Sequence, residues 1–142
     1  MGTTLQDCYL ISFFHQNSEK GEMISAHSFQ EIPFEVQRVY YLYEVTEDRK
    51  SGYHANIHNQ QVMVAVQGSF EVRLHDGVAA QTYLLDDPQK GLLIREGIWR
   101  EVKHFSPDAI CLVLCSEQFE EGDYMKDFGA FVEWKNKTIH SA

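Results

Sequence analysis

The sequence predicts an all-β fold, a sandwich or barrel of short antiparallel strands. Runs rich in β-branched and aromatic residues recur about every ten residues, and turn-forming clusters such as Asp86-Asp87-Pro88 and Ser106-Pro107-Asp108 separate them. The 142 residues contain only three prolines, no internal repeat and no low-complexity linker. We therefore expect a single domain over residues 1–142, large enough to form a core without a metal or a disulfide.

The first clear strand spans Phe34–Val45. Alternation divides most of its side chains between two faces, with Val36, Arg38, Tyr40 and Leu42 on one and Gln37, Val39, Tyr41 and Tyr43 on the other. Both faces carry bulky side chains, so we expect both to be covered.

The following strands are separated by turn signals. Gln67-Gly68-Ser69 lies between Val62–Val66 and Phe70–Leu74 and predicts a hairpin, and Asp76-Gly77 predicts the next turn. Further strands are expected at Thr82–Leu85, Gly91–Ile94, Ile98–Lys103 and Ala109–Cys115. Beyond Glu117, near-helical spacing of aromatic residues predicts one short C-terminal helix; these residues are Phe119, Tyr124, Phe128 and Phe131.

Charge and fold class limit the partners of this chain. With 12 basic and 21 acidic side chains and a net charge of −9, it is a poor candidate for binding nucleic acid or an anionic membrane. The open edges of a β-sheet need a cover, which closure of a jelly roll or exchange of strands between subunits provides. We expect a homodimer.

The three cysteines, Cys8, Cys111 and Cys115, are odd in number, and the last two share one face of an apolar strand. We interpret them as buried thiols in a reducing cytoplasm. The sequence has neither a leader pattern nor an apolar run of the roughly 20 residues that span a bilayer.

Ser51–Gln61 is the most unusual segment of the chain, because a strand through it places His54, Asn56 and His58 on one face. One interpretation is a solvated strand edge or a hydrogen-bonded histidine. The other is a polar row at the mouth of a barrel, where ligands often bind, since the segment leads directly into Val62–Val66.

A metal site is the first functional hypothesis for this row, because imidazole is the commonest metal ligand. Metal-binding cupins supply His-x-His, an acidic residue and a later histidine, whereas this chain has His54, Asn56, Gln60 and then Arg100. We therefore expect no metal.

Proton transfer by His54 is the second hypothesis. Arg38 and Tyr40 share one face of an earlier strand, and a barrel can bring a cation and a phenol to the same pocket as His54. Tyr40 can equally be a core residue with a hydrogen-bonded hydroxyl. Arg38 needs an anion on that face, either a ligand or a structural ion pair.

The order of motifs resembles the sugar 3,4-ketoisomerases of dTDP-linked deoxysugar pathways from Gly21 to Phe131. The residues that carry the resemblance are Ile32-Pro33-Phe34, Arg38-Val39-Tyr40-Tyr41, Gly52-Tyr53-His54-Ala55, Gln61-Val62, Gly68-Ser69, Asp76-Gly77, Gly91-Leu92, Trp99 and Asp123-Tyr124.

The resemblance implies a cupin-type double-stranded β-helix, or jelly roll, that needs no cofactor and forms a homodimer with exchanged strands. It implies isomerisation of a dTDP-4-keto-6-deoxy-hexose through an enediol, in the biosynthesis of 3-amino sugars for surface glycans such as lipopolysaccharide. His54 and Tyr40 are the implied catalytic residues. The implied substrate-binding residues are Arg38, Asn56, His58, Lys20, Trp99 and Arg100.

The chain differs from the family's usual motif at two positions, because Ser51 replaces an arginine and Asn56 replaces a second catalytic histidine. Lys20-Gly21 replaces an Arg-Gly pair and keeps the charge. Arg100 stands where members carry histidine or arginine, and we expect it to bear on the C4 epimer formed. A nucleotide-sugar-binding cupin with lost or altered chemistry and an unrelated structural cupin are the two alternatives.

Overall fold

The computed structural model describes residues 2–46 and 51–140, including all side chains in these ranges except those of Ser51 and residues 138–140. The strands, in chain order, are β1 (Tyr9–Ser12), β2 (Phe14–Ser18), β3 (Gly21–Ser25), β4 (Arg38–Tyr43), β5 (Ser51–Asn56), β6 (Gln61–Gln67), β7 (Phe70–His75), β8 (Ala80–Leu85), β9 (Lys90–Ile94), β10 (Trp99–Lys103), β11 (Ile110–Cys115) and β12 (Tyr124–Met125). One α-helix, α1 (Phe128–His140), follows.

Two antiparallel five-stranded sheets face each other, in the orders β1-β9-β6-β11-β4 and β12-β5-β10-β7-β8. Apolar side chains from both sheets, including Met63, Leu74, Val102 and Val113, form the core between them. This is the predicted double-stranded β-helix with a short C-terminal helix. Strands β2 and β3 form a separate two-stranded hairpin.

The predicted hairpin across Gln67-Gly68-Ser69 is wrong. Strand β6 pairs with β9 and β11 in one sheet, whereas β7 pairs with β8 and β10 in the other, so this segment crosses between the sheets. Gly68 has φ +68°, and a Cβ there would lie 2.3 Å from Ser106 Oγ. The glycine therefore serves a tight crossover. The turn at Asp76-Gly77 does join a hairpin, between β7 and β8.

The strand predicted over Phe34–Val45 is shorter, but its alternation is confirmed: Arg38, Tyr40 and Leu42 of β4 face inward. Within a single chain the opposite face is not covered, since Tyr41 and Tyr43 are 62% and 60% exposed. The helix begins at Phe128, so Phe119 and Tyr124 do not belong to it. Cys8, Cys111 and Cys115 are buried free thiols, as predicted.

Candidate active site

His54 and Arg100 face each other on neighbouring strands. They are register partners in the antiparallel pair of β5 and β10, and both line a small chamber between the two sheets. Gly52 completes this corner with φ +66°, and a Cβ at this position would lie 2.8 Å from Val102 Cγ2. A larger residue would therefore strain β5 and displace the strand that carries Arg100.

His54 lies between the closed interior and an open mouth. The inner chamber is about 50 Å³ and is lined by Tyr40, Leu42, Gly52, His54, Gln61, Met63, Arg100, Val102, Cys111 and Val113. The mouth is about 350 Å³ and is lined by Gly52, Tyr53, His54, Phe119, Glu121, Tyr124 and Lys126. An imidazole at this boundary can act on an atom that enters through the mouth.

Arg100 is a completely buried cation. Its Nη1 donates to Gln61 Oε1 and its Nη2 donates to the Ile98 carbonyl oxygen at 3.0 Å, while its Nε has no hydrogen-bond partner in the described part of the chain. Among residues 2–46 and 51–140 no carboxylate forms an ion pair with it. Burial lowers the pKa of this guanidinium. A buried charge without a counter-ion favours binding of an anion in the chamber.

The same environment keeps His54 neutral. Burial, followed by the charge of Arg100, lowers the pKa of His54 to about 3. The ring packs beside Tyr124, with 4.7 Å between the centroids, and its Nε2 lies 3.0 Å from Asn56 Oδ1. A neutral imidazole has one nitrogen that is free to accept a proton.

Tyr40 supplies a phenol to the chamber. Gln61 Nε2 donates to its hydroxyl oxygen at 3.4 Å, and burial, the largest cause, raises the pKa of Tyr40 to about 12. The hydroxyl is therefore protonated at neutral pH and can donate a hydrogen bond to an oxygen of a ligand. Tyr40 therefore fits both alternatives, since it packs against the core and also lines the chamber.

Arg38 lies on the same face of β4 as Tyr40. Its Cζ is 4.6 Å from the centroid of the Tyr40 ring and 5.0 Å from that of Phe119, which also lines the mouth. The alternative of a structural ion pair finds no support, because no carboxylate pairs with Arg38 in the described ranges. Two aromatic faces orient the guanidinium and leave its hydrogen bonds for another partner.

Three predicted site residues do not join this group. His58 follows the end of β5 and is exposed, so the row His54, Asn56, His58 on one face is wrong at its third member. Lys20 lies at the exposed tip of the β2–β3 hairpin. Trp99 points to the outer face of β10, where it packs on Ala55 and Phe131 beneath α1.

Strand β5 ends at Asn56 because Asp123 accepts hydrogen bonds from the backbone of the segment that follows. The backbone N–H of Ile57 donates to the Asp123 carbonyl at 2.9 Å, and the N–H of His58 donates to its carboxylate at 2.7 Å. These bonds turn the chain away from the neighbouring strand, which places the His58 side chain in a different cavity from that of His54.

Another cavity, an open cleft of about 1080 Å³, is lined by His58 together with Glu35, Glu117, Glu120 and the loop before β12. Its carboxylates repel a diphosphate. The mouth beside His54 instead carries one cation, Lys126, and one carboxylate, Glu121, while Phe119, which packs on Arg38, lines both cavities. The chemistry of the side chains therefore favours the smaller mouth over the larger cleft.

The sequence left four residues of the site without a role: Gln61, Asp123, Tyr124 and Lys126. Gln61 connects Tyr40 to Arg100, and its inward position follows from the alternation of β6. The other three are brought to β5 by β12, a two-residue strand that propensity does not reveal. In the described residues no group of three or more histidine, cysteine or acidic side chains can hold a metal ion, and no helix is long and apolar enough to cross a membrane.

Comparison with known proteins gives consistent matches over nearly the whole chain. A curated TDP-4-oxo-6-deoxy-alpha-D-glucose-3,4-oxoisomerase from Aneurinibacillus thermoaerophilus is 32% identical over 125 residues, which cover 88% of this chain and 90% of that protein. The crystal structure of a 3,4-ketoisomerase from Helicobacter canadensis has a TM-score of 0.87 and 35% identity, covering 92% of this chain and 98% of its own.

A third match is the 3,4-ketoisomerase QdtA from Thermoanaerobacterium thermosaccharolyticum, crystallised as a histidine-to-asparagine mutant in complex with TDP-4-keto-6-deoxyglucose. Its TM-score is 0.90 at 30% identity, covering 96% of this chain and 99% of that one. The model of the FdtA family, described as WxcM-like, C-terminal, matches residues 6–136. The resemblance found in the motifs is thus confirmed, and this chain belongs to the WxcM-like, C-terminal (FdtA) family.

Proposed function

We propose that this protein is a sugar 3,4-ketoisomerase that acts on a dTDP-linked 4-keto-6-deoxy-hexose. The observation that carries the proposal is the chamber in which neutral His54 faces the guanidinium of Arg100, which has no carboxylate partner in the described residues, with the Tyr40 phenol on the facing sheet. A base, a buried cation and a hydrogen-bond donor are what enolisation beside a carbonyl requires. The relatives that carry this activity support the assignment.

The reaction moves the carbonyl from C4 to C3 without an oxidant. His54 takes the proton from C3, and the electron pair of that bond moves toward O4 to form an enediolate. The O3 proton then passes to O4, and protonated His54 returns its proton to C4, which leaves the carbonyl at C3. Since the inner chamber is only about 50 Å³, the sugar ring occupies the mouth, with its reacting carbons at His54.

Arg100 links the charge of the enediolate to the basicity of His54. In the free protein, burial and the charge of Arg100 hold the pKa of His54 at about 3, which is low for a base at neutral pH. An enediolate beside the guanidinium neutralises that charge, so the imidazole becomes more basic as the proton transfers. Arg100 and Tyr40, which line the inner chamber, thereby stabilise the oxygen of the intermediate that enters it.

Asn56 does not transfer protons in this scheme, because an amide does not titrate near neutral pH. We assign both proton transfers to His54. The side chain at position 100 then influences which face of the enediolate His54 reaches, and so bears on the C4 epimer of the product.

The diphosphate requires cations that the acidic chain supplies at few places. Arg38 borders the mouth through its contact with Phe119, and Lys126 lines it. We assign these two side chains to the diphosphate. Within one subunit His58 and Trp99 contribute to other parts of the molecule, so neither belongs to the proposed sugar contacts.

We infer that the protein is a homodimer. The outer face of β4 exposes three bulky side chains, those of Val39, Tyr41 and Tyr43, and β4 is an edge strand of its sheet. The β2–β3 hairpin exposes Phe14 and Met23. A second copy covers both apolar surfaces, and an exchange of strands removes the open edge.

The chemistry of the product indicates which biosynthetic step follows this reaction. A 3-keto sugar is the substrate of an aminotransferase that forms a 3-amino sugar, so we infer a role in the biosynthesis of surface glycans, in the cytoplasm. The direct test is incubation of the protein with TDP-4-keto-6-deoxyglucose followed by NMR. A new 3-keto sugar nucleotide supports the proposal, whereas tight dTDP binding without product identifies a non-catalytic sugar-nucleotide binder.

A further inference from the structure

Asn56 is held between His54 and Asp123. The amide side chain is completely buried, and its Oδ1 lies 3.0 Å from Nε2 of His54. Its Nδ2 donates to Oδ2 of Asp123 at 3.1 Å. The three side chains form a continuous hydrogen-bonded row from the loop before β12 to the chamber.

Asp123 acts only as an acceptor in this row. It is 7% exposed, and besides Asn56 its carboxylate accepts the backbone N–H of His58 at 2.7 Å and that of Asn59 at 3.2 Å. Three N–H donors converge on the two oxygens, so both oxygens of the carboxyl group serve as acceptors.

The carboxylate determines which way the Asn56 amide points. If the amide were turned over, its oxygen would face Oδ2 of Asp123, and two acceptors would lie about 3 Å apart in a buried site. With the NH2 group on Asp123, the amide oxygen must face His54. A buried oxygen at this distance requires a donor, and Nε2 of His54 is that donor.

We propose that Asp123, acting through Asn56, is a positioning residue that holds His54 in the neutral tautomer protonated at Nε2. Nδ1 then carries the lone pair and, given the proposed isomerase function, is the atom that accepts the substrate proton. The hydrogen bond made by one nitrogen of a histidine sets the protonation of the other. Position 56, where the family resemblance implies a second histidine, thus has an orienting role here.

Replacement of Asp123 by Asn gives a specific expectation. Its oxygen stays on the His58 N–H, because that backbone contact, at 2.7 Å, is shorter than the one with the Asn59 N–H at 3.2 Å, so its NH2 group faces Asn56. The Asn56 amide then turns over to offer its oxygen, and its own NH2 group faces Nε2 of His54. That nitrogen must become the acceptor, which moves the proton to Nδ1. Asp123→Asn therefore inverts the tautomer, whereas a merely structural role for Asp123 leaves it unchanged.

The experiment is long-range proton–nitrogen NMR on ligand-free protein labelled at its seven histidines, with the His54 signals assigned by their loss in His54→Asn. We expect the Nε2–H tautomer in the natural protein at neutral pH and the Nδ1–H tautomer as the major form in Asp123→Asn. Asp86→Asn, at an exposed turn position, is the matched control and should match the natural protein.

Two outcomes overturn the proposal: an Nδ1–H or doubly protonated His54 in the natural protein, or an unchanged Nε2–H tautomer in Asp123→Asn. If Asp123→Asn fails to fold, Asn56→Ala decides, because loss of the acceptor should produce a mixture of tautomers, and a single Nε2–H form contradicts the proposal. The spectra need no substrate, so they stand apart from the isomerase assay. In that assay Asp123→Asn should lower kcat at least tenfold and leave KM within about twofold.

Discussion

His54 and Arg100 are directly opposite each other on the antiparallel strands β5 and β10, so a neutral imidazole and a buried guanidinium occupy one side of the sheet. Side chains at such positions have Cβ atoms about 4.5–5.5 Å apart. This proximity explains why the charge of Arg100 is the second cause, after burial, of the lowered pKa of His54. In the proposed mechanism this pair supplies both the base and the cation.

Replacement of Arg100 by Met should separate activity from stability. We expect kcat to fall by about 10² or more, the usual loss when one stabilising donor to an oxyanion is removed. The urea midpoint should stay the same or rise. Removal of the unpaired buried charge recovers a desolvation cost of several kcal/mol, which offsets the loss of about 1–3 kcal/mol for each acceptor left without a donor. Steady-state kinetics measures kcat, and urea unfolding measures stability. A large loss of stability would indicate instead that Arg100 is a structural residue.

Stability should depend on pH through His54. The unfolded chain binds a proton at this residue below about pH 6.5, whereas burial keeps the folded-state pKa at about 3. As pH falls through this window the natural protein should lose stability relative to His54→Asn, by up to about 1.4 kcal/mol per pH unit. Urea unfolding of both proteins from about pH 7 to about pH 5 tests this, and identical pH profiles would mean that His54 titrates normally.

Binding of the nucleotide should depend on Arg38. Removal of a guanidinium that has no carboxylate partner among the described residues should weaken dTDP binding at least tenfold, since the diphosphate loses a charge-assisted contact. Isothermal titration calorimetry of Arg38→Ala measures the loss. Arg73→Ala is the control, because Arg73 pairs with Glu101 on the far side of the sheet. Equal affinities of the two variants would exclude Arg38 from the site.

The oligomeric state should depend on the outer face of β4. Tyr41→Glu places a charge in the apolar surface that we assign to the dimer interface and should produce monomers in sedimentation experiments. Val78→Glu is the control, because Val78 is also apolar and exposed but lies in the β7–β8 turn. A monomeric natural protein, or equal dissociation of both variants, would contradict the assignment.

The strand pattern and the inward faces followed from the sequence, because side-chain alternation is a local property of each strand. The order of strands did not. In the sequence Gly68 indicates a hairpin turn. The positive φ that it adopts suits a crossover between sheets equally well, and only strand pairing distant in the chain distinguishes a hairpin from a crossover.

The sequence misplaced Trp99 and His58 for the same reason: contacts distant in the chain decide where their side chains lie. Trp99 adjoins Arg100, yet one step along a strand reverses the face, and α1 covers the outer one. His58 continues the two-residue spacing from His54, but Asp123, 65 residues later in the chain, ends the strand before it. His54 lies within β5 and lines the chamber, and Arg38, the first residue of β4, packs on the ring of Tyr40, which lines the chamber too, so alternation along each strand indicated their faces.

The most direct test of His54 as the proton-transferring group is exchange at C3. TDP-4-keto-6-deoxyglucose is incubated in deuterated water with the natural protein and with His54→Asn, and the loss of the C3 proton signal is followed by NMR. The proposed mechanism predicts rapid exchange with the natural protein and a reduction of about 10² or more in the variant, the usual contribution of a general base. Undiminished exchange in His54→Asn, with the fold intact, would contradict it.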